Sequence, residues 1–248
     1  MQDRFSCATT LLAAVLSFAP AVFAQTGDQT GKPPASASAK TVSSKNLSGV
    51  WVGEKGQPPA LLTTLMEQPA MTDWGKEQLK ANMDGKDPHA RCNAAGVPPA
   101  DLTTQPIEII QSEKRVLVLY EEFHDWRQIW TDGRALVTDA DPTFNGISVG
   151  KWDGDTLAVE TADFNGRTWL DNVGHPHSRA LRVTERFRRV DHDTLQIAFT
   201  IDDPKAYSAT WTTATRIFKL KPGYRLQENF CIPDDVIGIP AAANPPGR

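Results

Sequence analysis

The stretch GKWDGDTLAVETADFNGRTWLDNVGHPHSRALRVTERFRRVDHDTLQIAFT, residues 150–200, contains two β-hairpin patterns separated by the sixteen-residue loop Asp163–Ser178. Apolar and polar residues alternate on both sides of the loop, which is the period of a strand with one buried face. The turns Asp153-Gly154 and Asp191-His192-Asp193 lie between these runs and are typical of hairpin connections. Because a long irregular loop in such a domain is usually functional, we expect it to carry a site.

The same two-residue period continues through the rest of residues 46–240. Strand-like runs lie at 48–54, 106–112, 115–123, 126–131, 146–152, 156–162, 179–189, 193–201, 208–219 and 223–229. Their short connections predict antiparallel pairing of successive strands, and one short helix is predicted at about 72–83, capped by Thr72. So many strands in one domain favour a mainly β fold, an antiparallel up-and-down β-barrel, because closure removes exposed sheet edges. A β-sandwich is the alternative.

The first residues of the chain have the pattern of a secretory signal peptide. Arg4 precedes an apolar run, Leu11–Phe23, and the small-residue pattern Val22-Phe23-Ala24 follows, so we expect cleavage after residue 24 and a periplasmic or secreted protein. The run is too short to span a bilayer, and no membrane insertion is expected. Residues 25–45 have the composition of a flexible linker, residues 46–240 form the predicted domain, and residues 241–248 form a C-terminal tail.

Charge and cysteine content restrict the partners and predict a cross-link. The formal net charge is -4 with both signs interspersed, so nucleic acid is not an expected partner. The expected partner is a small-molecule ligand or substrate. Cys92 and Cys231 remain after the signal peptide, and an even pair in an oxidising compartment predicts a disulfide. Two buried free thiols are the alternative. The sequence leaves the oligomeric state open.

Glu185 is predicted to point into the barrel. It shares the alternating face of Val183 and Phe187, whereas Arg186 and its alternate neighbours occupy the other face. The same register test selects Glu122, in line with Tyr120, and Glu228 as inward-facing acids. A buried carboxylate needs a partner or a raised pKa. The alternative to a catalytic role for these acids is therefore an internal salt bridge, for which the candidate cations are Arg127, Arg134 and Arg186.

The loop contains the pair His175-Pro176-His177, which supports two interpretations. Histidine titrates near neutral pH and can be oriented by an acid, so His177 is the predicted proton-transfer residue. A zinc or iron site is the alternative, with Asp163, Asp171 or Glu185 as the third ligand, but none has a diagnostic spacing, and no metal is expected. Serine hydrolase chemistry at Ser178 is disfavoured because a Gly-x-Ser-x-Gly elbow is absent.

Several short motifs resemble those of a known group of proteins. They are Leu47-Ser48-Gly49-Val50-Trp51, Asp132-Gly133-Arg134, the run from Gly150 to Leu157, His177-Ser178, Glu185-Arg186-Phe187 and Asp203-Pro204. Together they resemble a largely uncharacterised family of secreted bacterial single-domain proteins. The resemblance implies secretion and a single domain, and it implies no activity. Gly49-Val50-Trp51 is also similar to the Gly-x-Trp signature that opens the first strand of lipocalins, a group of ligand-binding barrels.

These features predict a secreted barrel enzyme that uses acid–base residues, without an organic cofactor, on a small organic or sugar-like molecule. The reaction would be an elimination, an isomerisation or a hydrolysis. The predicted catalytic residues are His177, Glu185, Glu122, Arg134 and Arg186, with an arginine stabilising negative charge. The predicted substrate-binding residues are Trp169, Asp171, His175, Arg127 and Tyr120. The alternative is a non-catalytic, lipocalin-like binder of a hydrophobic small molecule.

Overall fold

The computed structural model describes residues 44–54, 70–85, 87–102, 104–122, 125–138 and 141–232. The predicted signal peptide, residues 25–43 of the predicted linker and the C-terminal tail lie outside these residues. The strands are β1 (Gly49–Gly53), β2 (Ile107–Gln111), β3 (Arg115–Tyr120), β4 (Trp126–Trp130), β5 (Ile147–Asp153), β6 (Thr156–Ala162), β7 (Arg182–Arg189), β8 (Thr194–Asp202), β9 (Trp211–Thr212) and β10 (Arg216–Leu220).

Nine of these strands close into a barrel, as the alternating pattern predicted. Strands β1 to β8 pair in sequence order, and β10 closes the ring because it pairs with both β1 and β8. The short strand β9 pairs with the far end of β8. Closure leaves no long unpaired edge, which distinguishes this fold from the β-sandwich alternative.

Three of the sequence-based strand predictions were wrong in detail. Residues 208–219, predicted as one strand, form the two strands β9 and β10. Strands β4 and β5 pair in parallel, so the barrel is mixed and not purely antiparallel. A parallel neighbour needs a crossover connection, and residues 131–146 supply it, whereas a tight turn at Asp132-Gly133 would have reversed the chain. The predicted strand 223–229 does not form, because Tyr224 and Gln227 bond instead to the Glu121 carboxylate. Glu228, predicted to face inward, is exposed.

Alternation along β7 determines which side chains enter the core. Its even-numbered residues are exposed and its odd-numbered residues are buried, which confirms the inward direction of Glu185. Phe187 packs with Phe199, Phe218 and Trp51 in the same apolar core. Burial of each such aromatic side chain stabilises the fold by roughly 1.5–3 kcal/mol.

The helix α1 (Asp73–Met83) lies outside the barrel ring and supports the long loop. Thr72 caps it as predicted, accepting a hydrogen bond from the Gly75 amide at 3.1 Å. Gly75 lies against the Ala206 carbonyl so closely that a Cβ there would be 2.3 Å from the oxygen. The Asn82 side chain donates to the Gly174 carbonyl at 2.8 Å. The helix thereby holds the tip of the loop Asp163–Ser178 in place.

The segment between α1 and β2 enters the barrel. Its second 3₁₀ helix, Pro99–Leu102, places Asp101 and Leu102 among the buried residues. Arg216 on β10 donates to the Leu102 carbonyl at 3.4 Å. The Asp101 carboxylate of this segment can therefore bond to polar side chains in the barrel interior.

Candidate functional site

Glu185 and Arg127, an acid and a candidate partner cation from the sequence, meet in one buried charge cluster that also contains Asp101. Arg127 lies between Asp101, at 2.8 Å, and Glu185, at 2.6 Å. The Tyr120 hydroxyl donates to Asp101 at 2.8 Å, and the Thr161 hydroxyl donates to Glu185 at 3.3 Å. All five side chains are buried. This arrangement is the internal salt bridge given above as the alternative to a catalytic role for Glu185.

The charges in this cluster do not balance, and the pKa of Glu185 responds. One guanidinium faces two carboxylates, and Glu185 Oε1 has no hydrogen-bond partner among the described residues. Burial raises the pKa of Glu185, Arg127 opposes this rise and the neighbouring Asp101 adds to it, so that the pKa lies at about 7. Burial also raises the pKa of Tyr120 well above its usual range. Burial next to a second carboxylate thus raises the pKa of Glu185 toward neutral pH.

A separate cavity of about 340 Å³ lies beside this cluster, between the segment after α1 and the long loop. Its wall combines apolar and polar side chains, as ligand cavities do. The lining residues are Asp87, His89, Ala94, Ala95, Pro99, Leu102, Thr104, Glu122, Thr168, Trp169, Leu170, Asp171 and Asn172. Two larger depressions, one of about 540 Å³ around Tyr120, Glu121 and residues 225–228 and one of about 450 Å³ around Asp163 and residues 179–182, have no histidine among their described lining residues. The 340 Å³ cavity is therefore the candidate site.

His89 and Glu122 form the first polar pair in the cavity wall. The His89 ring faces Glu122 Oε1 through Nε2 at 3.4 Å and the Asn93 carbonyl through Nδ1 at 3.1 Å. Burial by itself lowers the pKa of His89, but Glu122, the Asn93 carbonyl and Asp87 together outweigh it and raise the pKa above its ordinary value. Because both ring nitrogens face acceptors, the imidazolium form fits this position. His89 is therefore arranged as a proton donor.

The chain holds His89 in position through a turn and a covalent link. His89 begins the 3₁₀ helix His89–Arg91, and its amide donates to Asp87 at 2.8 Å. Cys92 follows directly with a left-handed backbone and is joined to Cys231, with the two Cα atoms 5.4 Å apart. This bond confirms the predicted disulfide. It fixes the segment that carries His89 to the segment that follows β10.

Thr168 and His177 form the second pair. The Thr168 hydroxyl lies 2.7 Å from His177 Nε2, and His177 Nδ1 lies 3.0 Å from the Ser178 carbonyl. Burial lowers the pKa of His177, against weaker raising effects of the Ser178 carbonyl and Asp203. The carbonyl can only accept, so Nδ1 carries the proton and Nε2 of the neutral ring accepts from Thr168. His177 is therefore arranged as a base that contacts the cavity through Thr168.

Asp171 and His175 form the third pair. His175 Nδ1 lies 2.5 Å from Asp171 Oδ2, and Asp171 Oδ1 accepts from the amides of Val173, Gly174 and His175. Burial alone would raise the pKa of Asp171, but the hydrogen bonds and charge of His175 lower it. The carboxylate thereby organises the loop turn, and His175 Nε2 is buried without a hydrogen-bond partner among the described residues.

The structure brings together only some of the residues that the sequence suggested. Glu122, Trp169 and Asp171 line the cavity, and His175 and His177 lie directly behind its wall. Glu122 lies beyond the end of β3, at the cavity, and not on an inward-facing strand position. Ser178 instead holds the base of the loop, since its hydroxyl and amide both donate to Asp203.

Arg134 and Arg186, predicted to stabilise negative charge, do not line the cavity. Arg134 pairs with Asp132 at 2.7 Å and stacks on the Trp130 ring. Arg186 pairs with Asp153 on the outer face of the barrel, with 51% of its side chain exposed. The first pair lies within one turn and the second joins β7 to the end of β5, and in both the charged groups remain partly in water.

Sequence reasoning missed His89, Thr168 and Asp101. The signal that was available for His89 was its position three residues before Cys92, whose disulfide was predicted and would hold it in the fold. Thr168 lies in the predicted functional loop, next to Trp169, but a single threonine carries no local signal. Asp101 lies in a segment without strand or helix periodicity, so nothing local indicated that it enters the barrel.

The described residues do not form a metal centre, and a search for membrane-spanning helices finds none among them. No group of three or more His, Cys, Asp or Glu side chains in the described ranges is placed to hold a metal ion. No described helix has the length and apolar character needed to cross a membrane. Compared with known proteins, the chain matches no family model and has no significant match among curated proteins. The family resemblance noted from its motifs therefore stays a prediction.

Proposed function

We propose that this protein is an enzyme that binds a small organic or sugar-like molecule in the 340 Å³ cavity and transforms it by acid–base chemistry, without an organic cofactor. The observation that carries the proposal is the convergence of three histidine-containing pairs on one cavity. The proposal retains the export to the periplasm or cell exterior that the N-terminal pattern predicts, and a small molecule as the partner.

His89 and His177 have opposite roles in this proposal. The pKa of His89 is raised beside Glu122, which suits it to donate a proton, whereas burial lowers the pKa of His177, which suits it to accept one through the Thr168 hydroxyl. Environments that shift two titratable groups in opposite directions are the usual way in which one site supplies both an acid and a base. His89 takes the charge-stabilising place that was predicted for Arg134 or Arg186.

The remaining wall residues suit a small, partly apolar ligand. Trp169 is half-buried beside the cavity and provides a flat surface of the kind that packs against a sugar ring or an apolar group. The Asp171 carboxylate, bonded to three backbone amides and to His175, gives the wall a fixed polar part. Asn172, also in the wall, offers an amide donor. Glu185 and Arg127 do not border the cavity and have a structural role in this proposal.

The test combines two reaction screens with matched variants. p-Nitrophenyl esters and glycosides report hydrolysis, and hydroxy acids, keto acids and aldoses in D₂O report proton abstraction through deuterium uptake detected by NMR. We expect one class to react, and His89→Gln and Glu122→Gln to lower its rate about 100-fold. His192→Ala is the matched control, because His192 lies in an exposed hairpin turn. Equal rates in wild type and His89→Gln would contradict the assignment.

A non-catalytic binder is the second candidate function, and the apolar part of the wall favours it. Ala94, Ala95, Pro99, Leu102 and Leu170 line the cavity together with Trp169. A binder would change the Trp169 fluorescence on adding an apolar ligand such as a fatty acid, without chemical change of any compound in the two screens. Trp169→Phe separates this signal from that of the other tryptophans. Turnover that depends on His89 would exclude this candidate.

A further inference from the structure

The hydrogen-bond chain from Thr168 through His177 to the Ser178 carbonyl has the organisation of an activated nucleophile. A hydroxyl that donates to a neutral imidazole, whose other nitrogen is held by an acceptor, can lose its proton as it attacks. Here the hydroxyl lies 2.7 Å from Nε2, and the backbone carbonyl at 3.0 Å from Nδ1 holds the tautomer. The carbonyl takes the orienting place that a carboxylate occupies in a Ser-His-Asp triad.

Among the described residues, His177 reaches the cavity through the Thr168 hydroxyl, because the histidine itself is buried behind the wall. His177 is 4% exposed, packs edge-on against Phe164, and is not part of the cavity wall, whereas Thr168 is. Gly96 lies behind the threonine, where a Cβ would be 2.7 Å from Thr168 Oγ1. The left-handed glycine therefore leaves the space that the hydroxyl occupies.

We propose that Thr168 is the nucleophile of a hydrolytic reaction, that His177 is its general base, and that the substrate is a small carboxylic ester. This inference rests on the proposed function and selects hydrolysis from its three reaction types. Ser178, the hydroxyl next to His177 in sequence, is excluded from this role because it is bound to Asp203. The histidine suggested by the sequence is retained, but it serves a different hydroxyl.

The proposed reaction passes through an acyl-threonine intermediate. Thr168 Oγ1 attacks the ester carbonyl carbon while its proton moves to His177 Nε2, and the side-chain amide of Asn172 in the wall can donate to the carbonyl oxygen. The carbon–oxygen bond to the leaving alcohol breaks, and that alcohol takes the proton from Nε2, which leaves an acyl-threonine. Water then gives a proton to Nε2 and attacks the acyl carbon, and Thr168 Oγ1 leaves and recovers the proton.

The inference is tested by trapping the nucleophile and by turnover. An alkyl fluorophosphonate should form one stable adduct per chain, with loss of fluoride, and peptide mapping should place it on Thr168. The second probe is p-nitrophenyl acetate. Thr168→Val, which keeps the shape of the side chain, should abolish the adduct and lower turnover at least about 100-fold, whereas Thr168→Ser should keep both.

Matched controls separate failure of this inference from failure of the proposed function. Thr184→Val makes the same substitution on the exposed outer face of β7 and should leave adduct and turnover unchanged. An adduct on another residue, or unchanged turnover in Thr168→Val, overturns the inference. If the inference fails but turnover of any screened compound depends on His89, the proposed function stands without the Thr168 nucleophile. If Thr168→Val does not fold, the mapped adduct in wild type and Thr168→Ser decides the matter.

Discussion

Replacing Glu185 by glutamine tests the account of the buried charge cluster. Glu185 Oε2 lies 2.6 Å from Arg127 Nη2, and Asp101 Oδ2 lies 2.8 Å from Nη1, so two carboxylates share one cation. Burial raises the pKa of Glu185 to about 7. Glutamine has the shape of the protonated acid and cannot ionise. The substitution should therefore preserve the packing and remove one titration.

The magnitude follows from linkage between protonation and folding. The native state binds the Glu185 proton more tightly than the unfolded chain does, since the pKa rises from 4.5 to about 7. The contribution of Glu185 to stability is therefore fully present below pH 4.5 and is lost as the pH rises toward 7, at about 1.4 kcal/mol per pH unit. Over this window the loss is roughly 3 kcal/mol, or roughly 10 °C in Tm for a domain of this size. Glu185→Gln should not show this loss.

The assay is urea unfolding monitored by tryptophan fluorescence at about pH 5 and about pH 8, a range that spans the expected titration. We expect the free energy of unfolding of Glu185→Gln, relative to wild type, to increase by about 2–3 kcal/mol between the two conditions. Glu160→Gln, an exposed acid on β6, is the matched control and should show no such change. A difference that is independent of pH, or one that favours wild type at high pH, would refute the reasoning.

Three further predictions concern the cavity and its supports. The pH profile of kcat/KM should be bell-shaped, because the pKa of the base His177 is lowered and that of the acid His89 is raised. As the pH increases, the rate should rise at values below about 6.5 and fall at values above it. His89→Gln should lose the fall on the alkaline side, and a profile unaltered by that variant would contradict the assignment. The double variant Cys92→Ser, Cys231→Ser should lose up to about 4–5 kcal/mol in the free energy of urea unfolding. It should also bind ligand more weakly, as measured by calorimetry, because the disulfide holds the segment that carries His89. Unchanged affinity in the folded variant would show that this segment is held without the disulfide. Gly96→Ala should lower Tm by an amount equivalent to about 1–3 kcal/mol, because φ there is +80° and the new Cβ would contact Thr168, and a wild-type Tm would contradict that contact.

The barrel fold and several of its details could be predicted from the sequence, because each depends on local patterns. The two-residue alternation identified the strands and the inward direction of Glu185, since successive side chains of a strand face opposite sides. The N-cap preference of threonine located the start of α1 at Thr72. The disulfide followed from the pairing of Cys92 with Cys231, and the length of the loop Asp163–Ser178 identified part of the cavity wall.

The tertiary structure alone decided which of these residues meet. Alternation shows which face of the sheet a side chain occupies but not what lies across the barrel. The sequence therefore left three candidate cations for Glu185. The structure shows that Arg127 on β4 is the partner and that Asp101 binds the same guanidinium. The parallel pairing of β4 with β5 has no local signature, because the direction of residues 131–146 depends on distant contacts. The proximity of His89 to Thr168 in one cavity wall has the same origin. Contacts between residues far apart in sequence are determined by closure and packing of the whole chain, whereas periodicity, capping and cysteine content are properties of the sequence itself.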